Sequence, residues 1–268
     1  MHALKKTFLL IVPFLALTIS CLNDSSNENR ALINVYLIDA PGDFDQVWLE
    51  IQGVEVFSQS GNSSSSQEWI PMDYIPLSNN VNVSSLIANS QLILGRTEVP
   101  LGNITQIKLI FGTNHFLVND EVQIPLEFSS AEQLETIIDV NYNLEGAKSY
   151  DIFLDINLAK SIKTDPANTE NFIFDPVIRS FTTDAMAEIT GRVSPVDAQP
   201  FIHAILGEDT VSTLTNSSGN FSFKGLQAGE YKIYIQPVET YKDSLTNVTT
   251  KIDSLSEMET ILLSKIGE

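Results

Sequence analysis

Across 268 residues the chain holds one cysteine, three histidines and two tryptophans. A lone cysteine, Cys21, closes no intramolecular disulfide and builds no thiolate metal cage. Basic residues are scarce: 15 Lys and Arg stand against 34 Asp and Glu, a formal charge of −19. Such a surface repels phosphate backbones, which argues against nucleic acid and favours a neutral, cationic or metal partner. Beyond Cys21 no apolar run reaches 18 residues, so no helical span is expected there. No GxSxG elbow, Walker loop, HExxH pair or GxGxxG after a strand occurs. What remains is a composition that folds around a core, 43% hydrophobic and 18% charged. The length suits one or two domains at about 150 residues each.

Lys5 and Lys6 precede an apolar run from Thr7 to Leu17, broken only by Pro13. This predicts a secretory signal over residues 1–20, too short to span a bilayer. Thr18-Ile19-Ser20-Cys21 resembles the lipobox of bacterial lipoproteins, with Thr18 where the consensus has Leu. The resemblance implies cleavage before Cys21 and lipidation of that residue. Leu22 in place of Asp after it implies the outer membrane, by the same resemblance. Acyl chains then supply the membrane contact, each buried CH₂ contributing roughly 0.8 kcal/mol. Residues 21–30 are polar and aperiodic, a lipidated tether.

From Ala31 the texture is β throughout. Leu32–Ile38, Gln46–Ile51, Val54–Phe57, Gln106–Phe111, Ser149–Ile156 and Asn171–Phe181 read as strands, and Ser58–Gln67 as a low-complexity hairpin loop. Leu86–Leu94 is ambiguous and suits a short helix. From Glu188 a second pattern starts. Phe221 and Phe223 share one face, as do Tyr231, Ile233 and Ile235. These two segments are expected to pair as antiparallel neighbours through a tight Gly225-to-Gly229 connection, with Gly229 at positive φ. The expected fold is all-β: two tandem antiparallel β-sandwich domains after a lipoprotein signal peptide, at residues 31–183 and 185–268.

Two resemblances attach to these segments. Gly191-Arg-Val193, Gly219-Asn-Phe-Ser-Phe-Lys-Gly-Leu226 and Ala228-Gly-Glu-Tyr231 resemble the carboxypeptidase regulatory-like family. That implies a transthyretin- or prealbumin-like sandwich, structural or binding and not catalytic, related to carbohydrate-binding folds. Leu37-Ile-Asp39-Ala-Pro-Gly42-Asp-Phe-Asp45-Gln-Val47, Asp155-Ile-Asn-Leu-Ala-Lys-Ser-Ile162 and Pro176-Val-Ile-Arg179 resemble the domain-of-unknown-function 4382 family of bacterial exported proteins. Where that family has an aromatic after its later glycine, this chain reads Gly102-Asn103. The resemblance implies architecture and an exported setting, and no chemistry.

Candidate sites are few. Asp39, Asp43 and Asp45 cluster around a turn, where Ca²⁺ takes closely spaced oxygens; the alternative is a solvated turn. Trp48 runs out of phase with Val47, Leu49 and Ile51. With Trp69, Tyr234 and Tyr241 it is a candidate ring for stacking on a glycan, against the alternative of a two-sided core. His115 and His203 sit in apolar strand contexts and read as half-buried strand residues. Asp151 with Asp155 is one carboxylate pair among many. The expected function is a non-catalytic envelope lipoprotein, a binding or structural module whose partner is a polysaccharide or an envelope protein. The alternatives are a surface-assembly or adhesion subunit that pairs strands with a neighbour, and an envelope hydrolase.

Overall fold

A computed structural model describes residues 29–40, 42, 44–60, 67–168, 170–184 and 186–267. The signal, Cys21, Asp43 and residues 61–66 lie outside the described residues. The chain is almost entirely β and forms four sheets in two sandwich-like pairs. No helix among the described residues is long and apolar enough to cross a membrane.

The strand Arg30–Ala40 places Ile33, Val35 and Leu37 on one face, all fully buried, because successive side chains alternate. It lies at the centre of a five-stranded sheet in the order Ile178–Thr182, Ser149–Asn157, Arg30–Ala40, Leu92–Pro100, Asp73–Tyr74. The facing sheet has nine strands organised on Gln46–Ser60, whose Val47, Leu49 and Ile51 point inward. Gly102–Phe111, Phe116–Asn119, Gln67–Pro71 and Asn80–Asn82 all pair with it. One aliphatic core unites the two sheets, with Phe111 and Phe174 at one end.

A second core belongs to residues 187–263. One of its sheets carries Asn220–Leu226, Ala187–Ser194 and Ser254–Glu257, with Ile261–Leu262 also on Ala187–Ser194. The other runs Asp209–Leu214, Phe201–Leu206, Gly229–Gln236, Ser244–Thr250. Phe221 and Phe223 meet Tyr231, Ile233 and Ile235 in this core.

Several expectations need correction. Asn220–Leu226 and Gly229–Gln236 are not neighbours in one sheet; they pair with Ala187–Ser194 and Phe201–Leu206 and face each other across the sandwich. The positive φ falls at Gly225 (+65°) and not at Gly229. Gly229 instead lies so close to Leu206 that an added Cβ would come within 2.9 Å of its side chain. The pairing is also not wholly antiparallel. Arg30–Ala40 runs parallel to Ser149–Asn157, as do Phe172–Phe174 to Val122–Phe128 and Ala187–Ser194 to both Ser254–Glu257 and Ile261–Leu262. Parallel partners need long crossovers, and here intervening strands of the opposite sheet provide them.

Residues 86–94 form no helix. The Leu86 carbonyl accepts from Asp39 N–H at 3.1 Å, and Ala88 is left-handed at φ 56°, so no helical turn propagates. The Ser-rich loop is shorter than expected, since strands run to Ser60 and restart at Gln67. The single strand expected at 171–181 is two, Phe172–Phe174 and Ile178–Thr182, in different sheets. Pro176 lies between them and has no N–H to give a ladder.

Candidate functional site

The outer face of the five-stranded sheet is not solvated; the second β unit covers part of it. Along that face Tyr36 stacks on Phe153 and Phe153 on Phe181, each pair 5.2 Å between centroids. Gly225 of the second unit rests on the Phe181 ring, where a Cβ would fall 2.3 Å from ring carbon. Only glycine fits both that approach and its φ.

Beside this stack Arg179 ties the units together. Its Nε donates to Asp155 Oδ2 at 2.6 Å, Nη1 to the Gly225 carbonyl at 3.1 Å and Nη2 to the Lys224 carbonyl at 3.0 Å. Lys224 Nζ reaches back to Gln91 Oε1 at 3.1 Å. Local sequence sets this geometry. Asn157 Oδ1 accepts from Lys160 N–H and caps the one-turn helix Leu158–Ser161. Ser161 Oγ then accepts from Val177 N–H at 2.9 Å, and the Ser161 carbonyl from Asp175 N–H at 2.8 Å. These bonds fix the return of the chain so that Arg179 comes into register opposite Asp155.

Asp39 lies beside this seam, on the core-facing side of its strand and in register with Ile156. It continues the phase of Ile33, Val35 and Leu37 and is only 6% exposed; Asp155 is 3% exposed. Neither carboxylate oxygen of Asp39 has a hydrogen-bond partner, nor does Asp155 Oδ1. Burial, and then the Asp155 charge, push the Asp39 carboxyl well above the usual carboxylate range. Both aspartates, Arg179 and Lys224 are among the residues that line a small open pocket. On the other side of Arg179 and Asp155 a cleft of about 360 Å³ opens between the units. Asn157 and Lys160 line it from one side, and Glu208, Asp209 and Gln227 from the other.

The residues singled out from sequence are scattered. Asp39 is no solvated turn residue, since the strand carries it inward. Asp45 is exposed and caps Asp120 N–H at 2.9 Å, and Asp43 lies outside the described residues. Among the described residues no group of three or more His, Cys, Asp or Glu side chains is placed to hold a metal. Trp48 does face out, stacked on Phe116 at 5.9 Å. Trp69 packs against Phe57, and Lys108 Nζ sits 4.4 Å over its ring. Tyr234 stacks on His203 at 5.8 Å, and its hydroxyl donates to Asp243. Tyr241 is not an exposed ring: it is 5% exposed, and its hydroxyl donates to Asp197 Oδ2 at 2.8 Å.

His115 is buried. Its Nδ1 accepts from Glu50 N–H at 3.1 Å, so Nε2 carries the proton and donates to the Gly112 carbonyl at 2.9 Å. Burial lowers its pKa and keeps it a neutral structural side chain. Sequence reasoning named Arg179 only within a family-like segment, and Asp155 there and as one of many carboxylate pairs. The available signal was a charge inside a near-continuous apolar run, Ile152-Phe-Leu-Asp155-Ile156.

The profile described as "Domain of unknown function (DUF4382)" matches residues 30–176. Colossin-A of Dictyostelium discoideum is 24% identical over 248 residues, 91% of this chain and 2% of that protein, so the chain spans a small fraction of this relative. The shaft pilin SpaA of Lactobacillus rhamnosus GG (E269A mutant) has 10% identity over 90% of this chain and 98% of its own, with a TM-score of 0.27. The minor pilin GBS52 of Streptococcus agalactiae has 10% identity over 90% and 97%, with a TM-score of 0.25. The TIE protein of Bacillus anthracis has 11% identity over 84% and 35%, with a TM-score of 0.26.

Proposed function

We propose, since the chain belongs to the DUF4382 family through residues 30–176, that it is a non-catalytic binding module of the cell envelope. In this reading Cys21 is the lipidated first residue of an outer-membrane lipoprotein. Residues 31–183 are the family domain, and residues 185–268 a carboxypeptidase regulatory-like, prealbumin-like module docked on it. The ligand is a polysaccharide, held in the cleft between the two units.

The observation that carries the reading is the seam. Arg179, held by Asp155 of its own unit, joins the units through two carbonyls of the second, and the cleft beside it has polar side chains on both walls. A volume of about 360 Å³ suits one or two sugar units, and opposed hydrogen-bonding groups are what a hydroxyl-rich ligand requires. A glycan array against the protein is the test. Binding should fall when Asp209 is changed to Asn, and should persist when Trp48 is changed to Ala. No binding across the array, or loss only at Trp48, would overturn the cleft as the ligand seat. For the anchor, Cys21→Ser should move the protein from the detergent phase to the soluble fraction.

A second reading rests on the edge strand Ser244–Thr250, which ends its sheet and exposes Leu245 at 63%. Such an edge accepts another strand, as in a surface-assembly subunit. Native mass measurement separates the two, because assembly gives concentration-dependent oligomers without any glycan.

A further inference from the structure

We propose that two copies of this chain join along Ser244–Thr250, antiparallel, about a two-fold axis through Asn247. The contact rests on the reading in which that edge accepts a strand, here the same strand of a second copy. Each sheet of the second unit has one edge against the first unit. Asp209–Leu214 and Asn220–Leu226 line the small pocket together with Asp155 and Arg179, and Gly225 rests on Phe181. Ser244–Thr250 ends its sheet on the opposite side from Asp209–Leu214. Open edges are usually blocked by a charge, a proline or a bulge. This strand has none of these. It reads SLTNVTT, uncharged in a chain with 34 acidic and 15 basic residues, and it pairs with Gly229–Gln236 without a register shift.

Charges stand at its two ends. Asp243 and Lys251, both exposed, flank the strand, and the Tyr234 hydroxyl donates to Asp243. Residues pair reciprocally across a two-fold contact. A centre at Asn247 therefore sets Asp243 of each copy opposite Lys251 of the other. A centre at Thr246 or Val248 loses that match, placing Asp243 opposite Thr249 or Leu245 opposite Lys251. Faces also agree about Asn247: Leu245, Asn247 and Thr249 are exposed, while Thr246, Val248 and Thr250 lie on the core side. The two four-stranded sheets then continue as one, exposed face with exposed face. Ser256 Oγ donates to the Thr249 carbonyl at 3.3 Å, which sets Ser254–Glu257 beside the same edge. That carbonyl keeps a second lone pair for the ladder. Exposed apolar side chains gather here, Leu245 at 63%, Ile252 at 58% and Leu255 at 59%, and a second copy would cover part of them.

The test is oxidative cross-linking and native mass measurement of the purified full-length chain in detergent. The native chain, whose one cysteine is Cys21, is the background. Asn247→Cys should give a covalent dimer joined 247 to 247, because directly opposed residues lie about 4.5–5.5 Å apart between Cα atoms. Leu245→Cys should not, since its two copies stand roughly 14 Å apart, four residues along the ladder. Asp243→Lys should raise the dimer dissociation constant roughly tenfold, and adding Lys251→Asp should restore it. A native chain that stays monomeric at every concentration overturns both this contact and the strand-accepting edge. Oligomers that give no 247-to-247 link, or that the paired charge exchange fails to rescue, overturn the two-fold contact alone.

Discussion

The strands Arg30–Ala40 and Gly229–Gln236 alternate in the same way and end differently. The first buries Ile33, Val35 and Leu37 and then, in the same phase, Asp39. The second buries Tyr231, Ile233 and Ile235 and reaches solvent at Gln236. Alternation fixes where a side chain points, and chemistry fixes what it costs to be there. The Gly229–Gln236 pattern is one of stability alone, with apolar groups leaving water. The Arg30–Ala40 pattern ends on a buried carboxyl, whose ionised form burial disfavours. The two units thus differ in kind: the second is a packed core, and the first carries a polar seam on the sheet face that the second covers.

Truncation inside the packed core should have the largest effect. Phe223→Ala removes a fully buried ring from the second core and should cost roughly 3–5 kcal/mol in urea melts of the chain. Next comes the seam. Arg179→Met leaves Asp155 buried without its partner; because the arginine side chain is 34% exposed, the loss should be about 2–3 kcal/mol, below that of a fully buried pair. If Arg179→Met leaves stability unchanged, the charged seam is ornamental and the contrast between the units fails.

Gly225→Ala sharpens the same point. A Cβ against Phe181 at positive φ should cost about 1–2 kcal/mol and part the units, read as faster proteolytic cutting near residues 183–188. Tyr234→Ala should have the smallest effect, since that ring lies on the outer face of its sheet against His203. Equal losses at Phe223 and Tyr234 would mean that the two faces of the second unit are wrongly assigned.

Much of this was legible in the sequence. Alternation put Val47, Leu49 and Ile51 on one face and Trp48 on the other, and identified both apolar sets of the second core, Phe221 with Phe223 and Tyr231 with Ile233 and Ile235. Pairing was not legible. Nothing local tells Leu32 that its neighbour is Ser149, because a parallel ladder forms between segments far apart in the chain. The hairpin expected from Gly225 to Gly229 failed for the same reason: a short connection can also step between facing sheets. The seam was half legible. Asp39 was visible as a carboxylate but placed in a turn, because Ala40, Pro41 and Gly42 follow it. Asp155 was hidden among 34 acidic residues, and only the fold sets it opposite Arg179.

The position of Arg30–Ala40 has a mechanical consequence. The strand is the first among the described residues, and it is held on both sides, parallel to Ser149–Asn157 and antiparallel to Leu92–Pro100. A pull on its N-terminal end along the strand axis would load both ladders in shear and strain their hydrogen bonds together. An edge strand peeled sideways would lose them one at a time. Arg30–Ala40 is therefore well placed to bear load along its own axis.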